Sequence, residues 1–94
     1  MLFANRIKEL RESKQMLQRH ISTALDIDNV MYCKIERGDR QAKREQIPLI
    51  SKILQVDTEE LLTLWLADQI IEIIENEKGL ASKVMIVVQK FIKE

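Results

Sequence analysis

Residues 18–38, with the sequence QRHISTALDIDNVMYCKIERG, most constrain what this chain can fold into. Ile21 and Leu25 are four positions apart, so they share one face of a helix that begins near Gln18. The helical pattern breaks at Asp26, a residue type that adopts the left-handed backbone conformation more readily than most non-glycine residues. The segment therefore predicts a short helix that ends in a tight turn.

A second helix is predicted directly after the turn, over residues 29–37. Asp28 is a good N-cap for it, and Gly38 is a typical C-terminal stop. One face holds the apolar positions Met31, Tyr32 and Ile35, and the rest of the surface holds Asn29, Val30, Cys33, Lys34 and Arg37. The apolar face is expected to pack against the rest of the chain, which leaves the other positions exposed to solvent.

Four further helices are predicted around this pair from apolar positions that recur at helical spacing. They span about residues 4–14, 43–54, 58–76 and 81–93. Pro48 is tolerated only in the first turn of a helix, so either the fourth helix effectively begins toward Ile47 or it is locally distorted. Asp57, with Glu60 three residues later, is a capping signal for the fifth. The predicted fold is therefore all-α.

The last two helices carry more apolar residues than one small domain needs. The side chains expected to close its core are Leu61, Leu62, Trp65 and Leu66. The apolar pattern then continues through residues 67–74 and again through residues 81–93. Two amphipathic helices beyond a completed domain expose a patch that favours a partner. A homodimer is the economical interpretation, and the alternative is a last helix that folds back on its own domain.

Several of these features occur together, in register, in a known family. They are Gln18 opening the second helix, Leu25 before the turn, Ile35 inside the third helix, and the ending Ile35-Glu36-Arg37-Gly38. With them the chain resembles the Xre/Cro type of helix-turn-helix regulator, which includes phage lambda-like repressors, over about residues 3–64. The resemblance implies a lambda repressor-like helix-turn-helix domain of about five helices with a C-terminal helical extension. Residues 1–66 are then the DNA-binding domain, and residues 67–94 the extension, where dimerisation is expected.

By this resemblance the third helix is the expected reader of double-stranded DNA in the major groove. Asn29 can make a bidentate contact with adenine, and Lys34 can donate to guanine or to a phosphate. Val30 and Cys33 are candidates for contact with a thymine methyl group. Arg37, on the same face, is a further candidate for contact with DNA. The alternative is an ordinary amphipathic helix with a solvated polar face.

Other residues are expected to hold the DNA backbone without reading sequence. Gln18 lies at a helix N-terminus, where backbone N–H groups and the helix dipole favour a phosphate oxygen. Arg40, Lys43 and Arg44 form a basic loop beside the reading helix, and such charges add affinity that falls as salt rises. The alternative for all four is a solvated surface role.

The resemblance also implies an ion pair between the first and third helices. An arginine at the position of Arg11 pairs, in that family, with the glutamate that matches Glu36. We therefore expect a partly buried Arg11–Glu36 pair, whose disruption would leave a buried charge without a partner.

The distribution of charge favours nucleic acid although the net charge is zero. Residues 1–56 hold eleven Lys and Arg against seven Asp and Glu, a balance of +4. Residues 57–94 hold four against eight, a balance of −4. A basic first part and an acidic second part indicate that only the first faces phosphates.

Several classes of function are disfavoured by what the sequence contains. One cysteine and one histidine give neither a disulfide nor a set of metal ligands, and we expect no cofactor. We find no nucleophile–base pair and no phosphate-cradling Gly-rich loop, so we expect no enzyme. Charged residues interrupt the N-terminal apolar run and no long apolar stretch follows, so a cytoplasmic protein without a membrane span is expected.

The sequence thus favours a sequence-specific DNA-binding transcriptional regulator, as a dimeric repressor or controller. The competing interpretation is a protein-interaction adaptor or an antitoxin that keeps the fold with weak or no DNA binding. Zero net charge, and Val30 and Cys33 on the reading face, favour this second interpretation. A toxin would then be the protein partner.

Overall fold

The computed structural model describes residues 1–93, and it is built of helices joined by short turns. The α-helices are α1 (Leu2–Ser13), α2 (Gln18–Ala24), α3 (Asn29–Arg37), α4 (Ile47–Leu54), α5 (Thr58–Ile74) and α6 (Ala81–Lys93). One 3₁₀ turn, Arg44–Gln46, leads into α4. The predicted all-α class is confirmed. None of the helices in the described part of the chain has both the length and the apolar character to cross a membrane.

The ends of α3 follow from residues within and beside it. The Asp28 carboxylate accepts a hydrogen bond from the Met31 N–H at 2.7 Å, as an N-cap does. Gly38 ends the helix with φ of 80°, a left-handed conformation that suits glycine. Asp26 also has a positive φ, 57°, in the turn before α3. Both predicted ends of the third helix and the left-handed turn residue are therefore confirmed.

Pro48 shapes the start of α4. The predicted element over residues 43–54 divides into the 3₁₀ turn and an α-helix that begins at Ile47, so that proline lies in the first turn. The missing N–H of Pro48 would have no helical partner at that position. The shift of the start toward Ile47 is as predicted.

A single core joins the first five helices. α1 packs against α3, α4 and α5, and α2 packs against α3 and α4. The buried side chains of this core are Phe3, Ile7, Ile21, Leu25, Tyr32, Ile35, Ala42, Ile47, Ile50, Leu54 and Leu61. Leu62 and Trp65 are half-buried against it, whereas Leu66 is 42% exposed, so the expectation that Leu66 closes the core was wrong.

A contact distant in sequence fixes the start of α1. The Asp68 carboxylate, on α5, accepts hydrogen bonds from the Leu2 N–H at 2.9 Å and the Phe3 N–H at 3.0 Å. These N–H groups belong to the first turn of α1, which has no partner for them within the helix. The expected domain boundary after residue 66 lies inside α5, and this contact comes from the far side of it.

The end of the chain extends away from the core. α6 has no buried residue, and the radius of gyration of the chain is 15.2 Å. A compact domain of this length has a radius of gyration of about 12 Å. Exposed apolar side chains on this part are Ile70, Ile71 and Ile73 of α5 and Val84, Ile86, Val87, Phe91 and Ile92 of α6.

Candidate nucleic-acid interface

The turn between α2 and α3 sets the direction of the third helix. The left-handed Asp26 reverses the chain, and the Ile27 N–H donates to the Ser22 carbonyl at 3.0 Å. Asp28, two residues after Asp26, is the N-cap of α3. The two helices pack directly against each other, with Ser22 buried between them. A small residue at this position lets the helix axes approach closely.

α3 has one buried face and one open face. Tyr32, Ile35 and Glu36 are buried toward the core. The open face carries Asn29, Val30, Lys34 and Arg37, and Val30 is 65% exposed. Cys33 is half-buried at the border between the two faces. Four of the five α3 side chains predicted to contact DNA therefore share an accessible surface.

An ion pair holds the buried face of α3 to α1. Arg11 Nε lies 2.7 Å from Glu36 Oε2, and Arg11 Nη2 donates to Glu36 Oε1 at 3.0 Å. The exposed fraction is 13% for the arginine side chain and 2% for the glutamate side chain. Arg11 Nη1 also donates to the Met16 carbonyl at 2.8 Å. The expected Arg11–Glu36 pair is confirmed, as a bidentate one.

Gln18 extends this network toward the open face. Its Nε2 donates to Glu36 Oε1 at 3.2 Å, and its Oε1 accepts from the Cys33 S–H at 2.9 Å. In this structure the Gln18 amide is therefore engaged within the protein. The second amide N–H of Gln18 and the backbone N–H groups at the start of α2 remain for the predicted phosphate contact. Cys33, in turn, directs its S–H at Gln18 rather than outward.

Asn29 has weaker contacts and stays exposed. The Ser22 hydroxyl donates to Asn29 Oδ1 at 3.4 Å, and Asn29 Nδ2 lies 3.9 Å from Cys33 Sγ. These long contacts hold the side chain at the N-terminal end of α3 without burying it. That end is the part of a reading helix that contacts base edges in helix-turn-helix complexes.

The basic loop lies beside α3 and is held to α5 by a hydrogen bond. Arg40, Lys43 and Arg44 are all exposed. The Trp65 indole N–H donates to the carbonyl of the buried Ala42 at 2.8 Å, which ties the loop to α5. At the end of α3, Arg37 Nε lies 3.2 Å from Asp39 Oδ2 in an exposed pair. The hydrogen bond from Trp65 thus restrains the backbone from which the exposed loop cations project.

Two ionisable groups between α1 and α3 have a raised pKa. The hydrogen bond with Glu36 raises the pKa of Arg11, so its guanidinium stays charged. Burial raises the pKa of the Tyr32 hydroxyl, and the charge of Glu36 raises it further. Both groups lie on the buried side of α3, Arg11 as part of α1 and Tyr32 as part of α3, and neither lies on the open face.

Three residues help to position the interface through contacts that the sequence pattern does not reveal. Trp65 fixes the basic loop, and Asp68 fixes the start of α1. His20 supports the start of α2, since its Nδ1 accepts from the Leu17 N–H at 3.0 Å. An indole N–H needs a partner when it is partly buried, but the sequence does not show which carbonyl supplies it.

Comparison with models of protein families identifies the family of the chain. The family model described as helix-turn-helix matches residues 7–61, which is more than half of the chain. The matched segment begins in α1, contains α2, α3 and α4, and ends early in α5. No curated protein and no solved structure matches the chain.

Proposed function

The chain belongs to the helix-turn-helix family, and from that premise we propose that it is a sequence-specific regulator that binds operator DNA as a homodimer. DNA binding itself follows from the family. Sequence specificity, the residues that provide it, the dimer and a role as repressor or controller are the proposal. A cytoplasmic location and the division into residues 1–66 and 67–94 are parts of it as well.

The observation that carries the proposal is the open face of α3. Asn29, Val30, Lys34 and Arg37 are exposed along a helix whose other face is fixed to α1 by a bidentate ion pair. A rigid, exposed helix of nine residues is about 13 Å long, enough to reach several base pairs along a major groove about 12 Å wide. The described residues of the C-terminal helices leave the open face of α3 uncovered.

Reading and holding are assigned to different side chains. Asn29 and Lys34 contact base edges, and Val30 offers an apolar contact to a thymine methyl group. Cys33 contributes from the border of the face. Arg37, Arg40, Lys43 and Arg44 neutralise phosphates beside the reading helix, and the N-terminal backbone of α2 at Gln18 binds one more phosphate.

The exposed apolar side chains of α5 and α6 support the homodimer. Phe91 is 82% exposed, Ile73 is 76% exposed and Val87 is 67% exposed. Burying apolar surface of this kind between two copies contributes about 25 cal/mol per Å² before the entropic cost of association is subtracted. A two-fold dimer would then present two copies of α3 to two half-sites.

A DNA titration tests the proposal. Oligonucleotides selected from a random duplex pool are bound to the full chain at two salt concentrations, beside a scrambled duplex. We expect the selected sequence to bind more tightly than the scrambled one at both salts, and both affinities to fall as salt rises. Equal affinity for the two duplexes would overturn sequence specificity.

The second candidate is an adaptor or antitoxin that keeps the fold with little DNA binding. The hydrogen bonds of the Gln18 amide to Glu36 and Cys33 favour it, because they engage within the protein the oxygen and one N–H of a group that is expected to face phosphate. Absence of duplex binding even at low salt, in a folded protein, would support this candidate, and a toxin would then be its partner.

A further inference from the structure

A groove with an acidic wall lies beside the basic loop. It has a volume of about 540 Å³ and runs between the start of α1, the loop after α3 and the second half of α5. Leu2 and Ile71, which are 44% and 43% exposed, give it apolar surface. Asp68 and Glu72 line it from α5, and Glu75 lines it from the residue that ends this helix. Their spacings of four and three residues place them on one helix face.

Two of these carboxylates are not neutralised by an ion pair. Within residues 1–93, neither Glu72 nor Glu75 takes part in one, and α5 contains no lysine or arginine. Asp68 is already engaged with the start of α1. No described residue of α6 lines the groove in this structure, so the chain leaves the groove open to another occupant.

α6 has the opposite character. Its charged residues are Lys83, Lys90 and Lys93, with no acidic residue among them. Val84, Val87 and Phe91 lie along one side at spacings of three and four residues, and they are 39%, 67% and 82% exposed. α6 is thus a basic helix with an exposed apolar stripe, and it is about 20 Å long.

Charge decides how two copies can pair. α6 against its symmetry mate would bring lysines together, and α5 against its mate would bring carboxylates together, and like charges in contact are unfavourable. We infer that, in the dimer of the proposed function, α6 of each copy lies in the acidic groove of the other. A two-fold axis makes this contact twice, with the same residues on both sides.

The position of the groove links this contact to DNA binding. Arg40, a proposed phosphate contact, lines the same groove as the three carboxylates. Carboxylates near a phosphate-binding loop weaken its attraction for DNA, and lysines of the partner's α6 offset them. Occupation of the groove therefore raises DNA affinity at each half-site, in addition to joining two half-sites.

Two charge reversals at exposed positions test the inference. The groove variant is Glu72→Lys/Glu75→Lys. The helix variant is Lys83→Glu/Lys90→Glu, because these two lysines, seven residues apart, lie along one edge of the apolar stripe. All four positions are exposed, so we expect both variants to keep the fold. The dimer dissociation constant of each full-length variant is measured by sedimentation equilibrium, with circular dichroism to verify folding. A control with the same change of charge as the helix variant, Lys8→Glu/Lys52→Glu, alters exposed lysines on α1 and α4.

We expect the groove variant alone and the helix variant alone to dissociate at least about tenfold more readily than the wild type, since each then places like charges in contact. The control should differ little from the wild type. In an equal mixture, a heterodimer makes two favourable contacts. The basic groove of the groove variant faces the acidic α6 of the helix variant, and the acidic groove of the helix variant faces the basic α6 of the groove variant. The mixture should therefore form heterodimers with an affinity near that of the wild type.

The other outcomes separate this inference from the proposed function. If the wild type is a dimer but the helix variant associates as tightly as the wild type or more tightly, the groove contact alone is overturned. The same holds if the wild type is a dimer but the mixed variants form no heterodimer. A monomeric wild type would instead overturn the dimer of the proposed function, on which the groove contact rests.

Discussion

Tyr32 is the larger of two buried side chains, the other being Ser51, whose hydroxyl groups lack a hydrogen-bond partner among the described residues. It is fully buried in α3, and its hydroxyl has no hydrogen-bond partner within residues 1–93. A buried hydroxyl without a partner costs about 1–3 kcal/mol in desolvation. We expect Tyr32→Phe to raise the free energy of unfolding by an amount in that range at neutral pH, as measured by urea unfolding.

The same substitution predicts a pH dependence. Burial, and then the charge of Glu36, raise the pKa of Tyr32 from its ordinary value of 10.0. Above about pH 10 the unfolded chain loses this proton while the folded chain keeps it, so the wild type loses stability as pH rises further. The Phe variant lacks this loss of stability, so the difference in free energy of unfolding between the two proteins should widen as pH rises. A constant difference from neutral pH to about pH 11 would contradict the assignment.

Arg11 and Glu36 determine whether α3 is held in place. Arg11→Met would leave the Glu36 carboxylate, whose side chain is 2% exposed, with Gln18 as its remaining donor. Removing one partner of a buried pair costs about 3–5 kcal/mol, a large share of the stability of a small domain. We expect a loss of that size in urea unfolding.

The double variant Arg11→Met/Glu36→Leu is the matched control for this loss. It removes both charges from the interface between α1 and α3 and should recover much of the stability. If it is as unstable as Arg11→Met, the loss comes from packing of the arginine side chain and the argument from a stranded charge fails.

Among the elements, the local ones were predictable from the sequence and the long-range ones were not. α3 was predicted at both ends because its cap, Asp28, and its stop, Gly38, are its own neighbours. The start of α1 depends on Asp68, which is 66 residues from Leu2, and no periodicity reveals such a pair. The Gln18 amide was expected to face phosphate for the same reason: its acceptor, Glu36, is in another helix.

The tie between α5 and α1 predicts the effect of changing Asp68. Asp68→Ala leaves the N–H groups of Leu2 and Phe3 without their acceptor, so we expect a loss of about 0.5–2 kcal/mol, as for other N-caps. Asp68→Asn keeps one acceptor oxygen and should lose less. Thermal or urea unfolding of the two variants measures the difference, and equal losses would show that the negative charge, and not the acceptor, supports α1.

The division between the reading helix and the basic loop predicts two kinds of loss in DNA binding. Asn29→Ala should relax base preference at one position of the selected duplex, by about 1–3 kcal/mol of discrimination. Arg44→Ala should weaken selected and scrambled duplexes alike and reduce the salt dependence by about one unit of slope. Titrations of both variants against matched and single-substituted duplexes separate the two effects. The same pattern from both variants would mean that reader and clamp are wrongly assigned.

At the scale of the whole molecule, zero net charge is compatible with DNA binding because the charge is segregated. Residues 1–56 carry a balance of +4 and include the open face of α3 and the basic loop, and residues 57–94 carry −4. The radius of gyration of 15.2 Å reflects a tail that extends from the core, and that tail carries the exposed apolar side chains. The cations proposed to bind DNA and the apolar tail proposed to bind a second copy are therefore separate in the chain, and they meet only at the groove that Arg40 lines.

A dimer of this kind predicts a dependence on half-site spacing. The two copies of α3 would be held at a fixed separation, and related dimers read half-sites about one helical turn, roughly 10 base pairs, apart. Inserting about five base pairs between the half-sites moves one of them to the opposite face of the duplex. We expect affinity for that duplex, measured with the full chain, to fall to that of a single half-site. Affinity that does not change with spacing would mean that the two reading helices are not rigidly joined, and the apolar tail would then need another explanation.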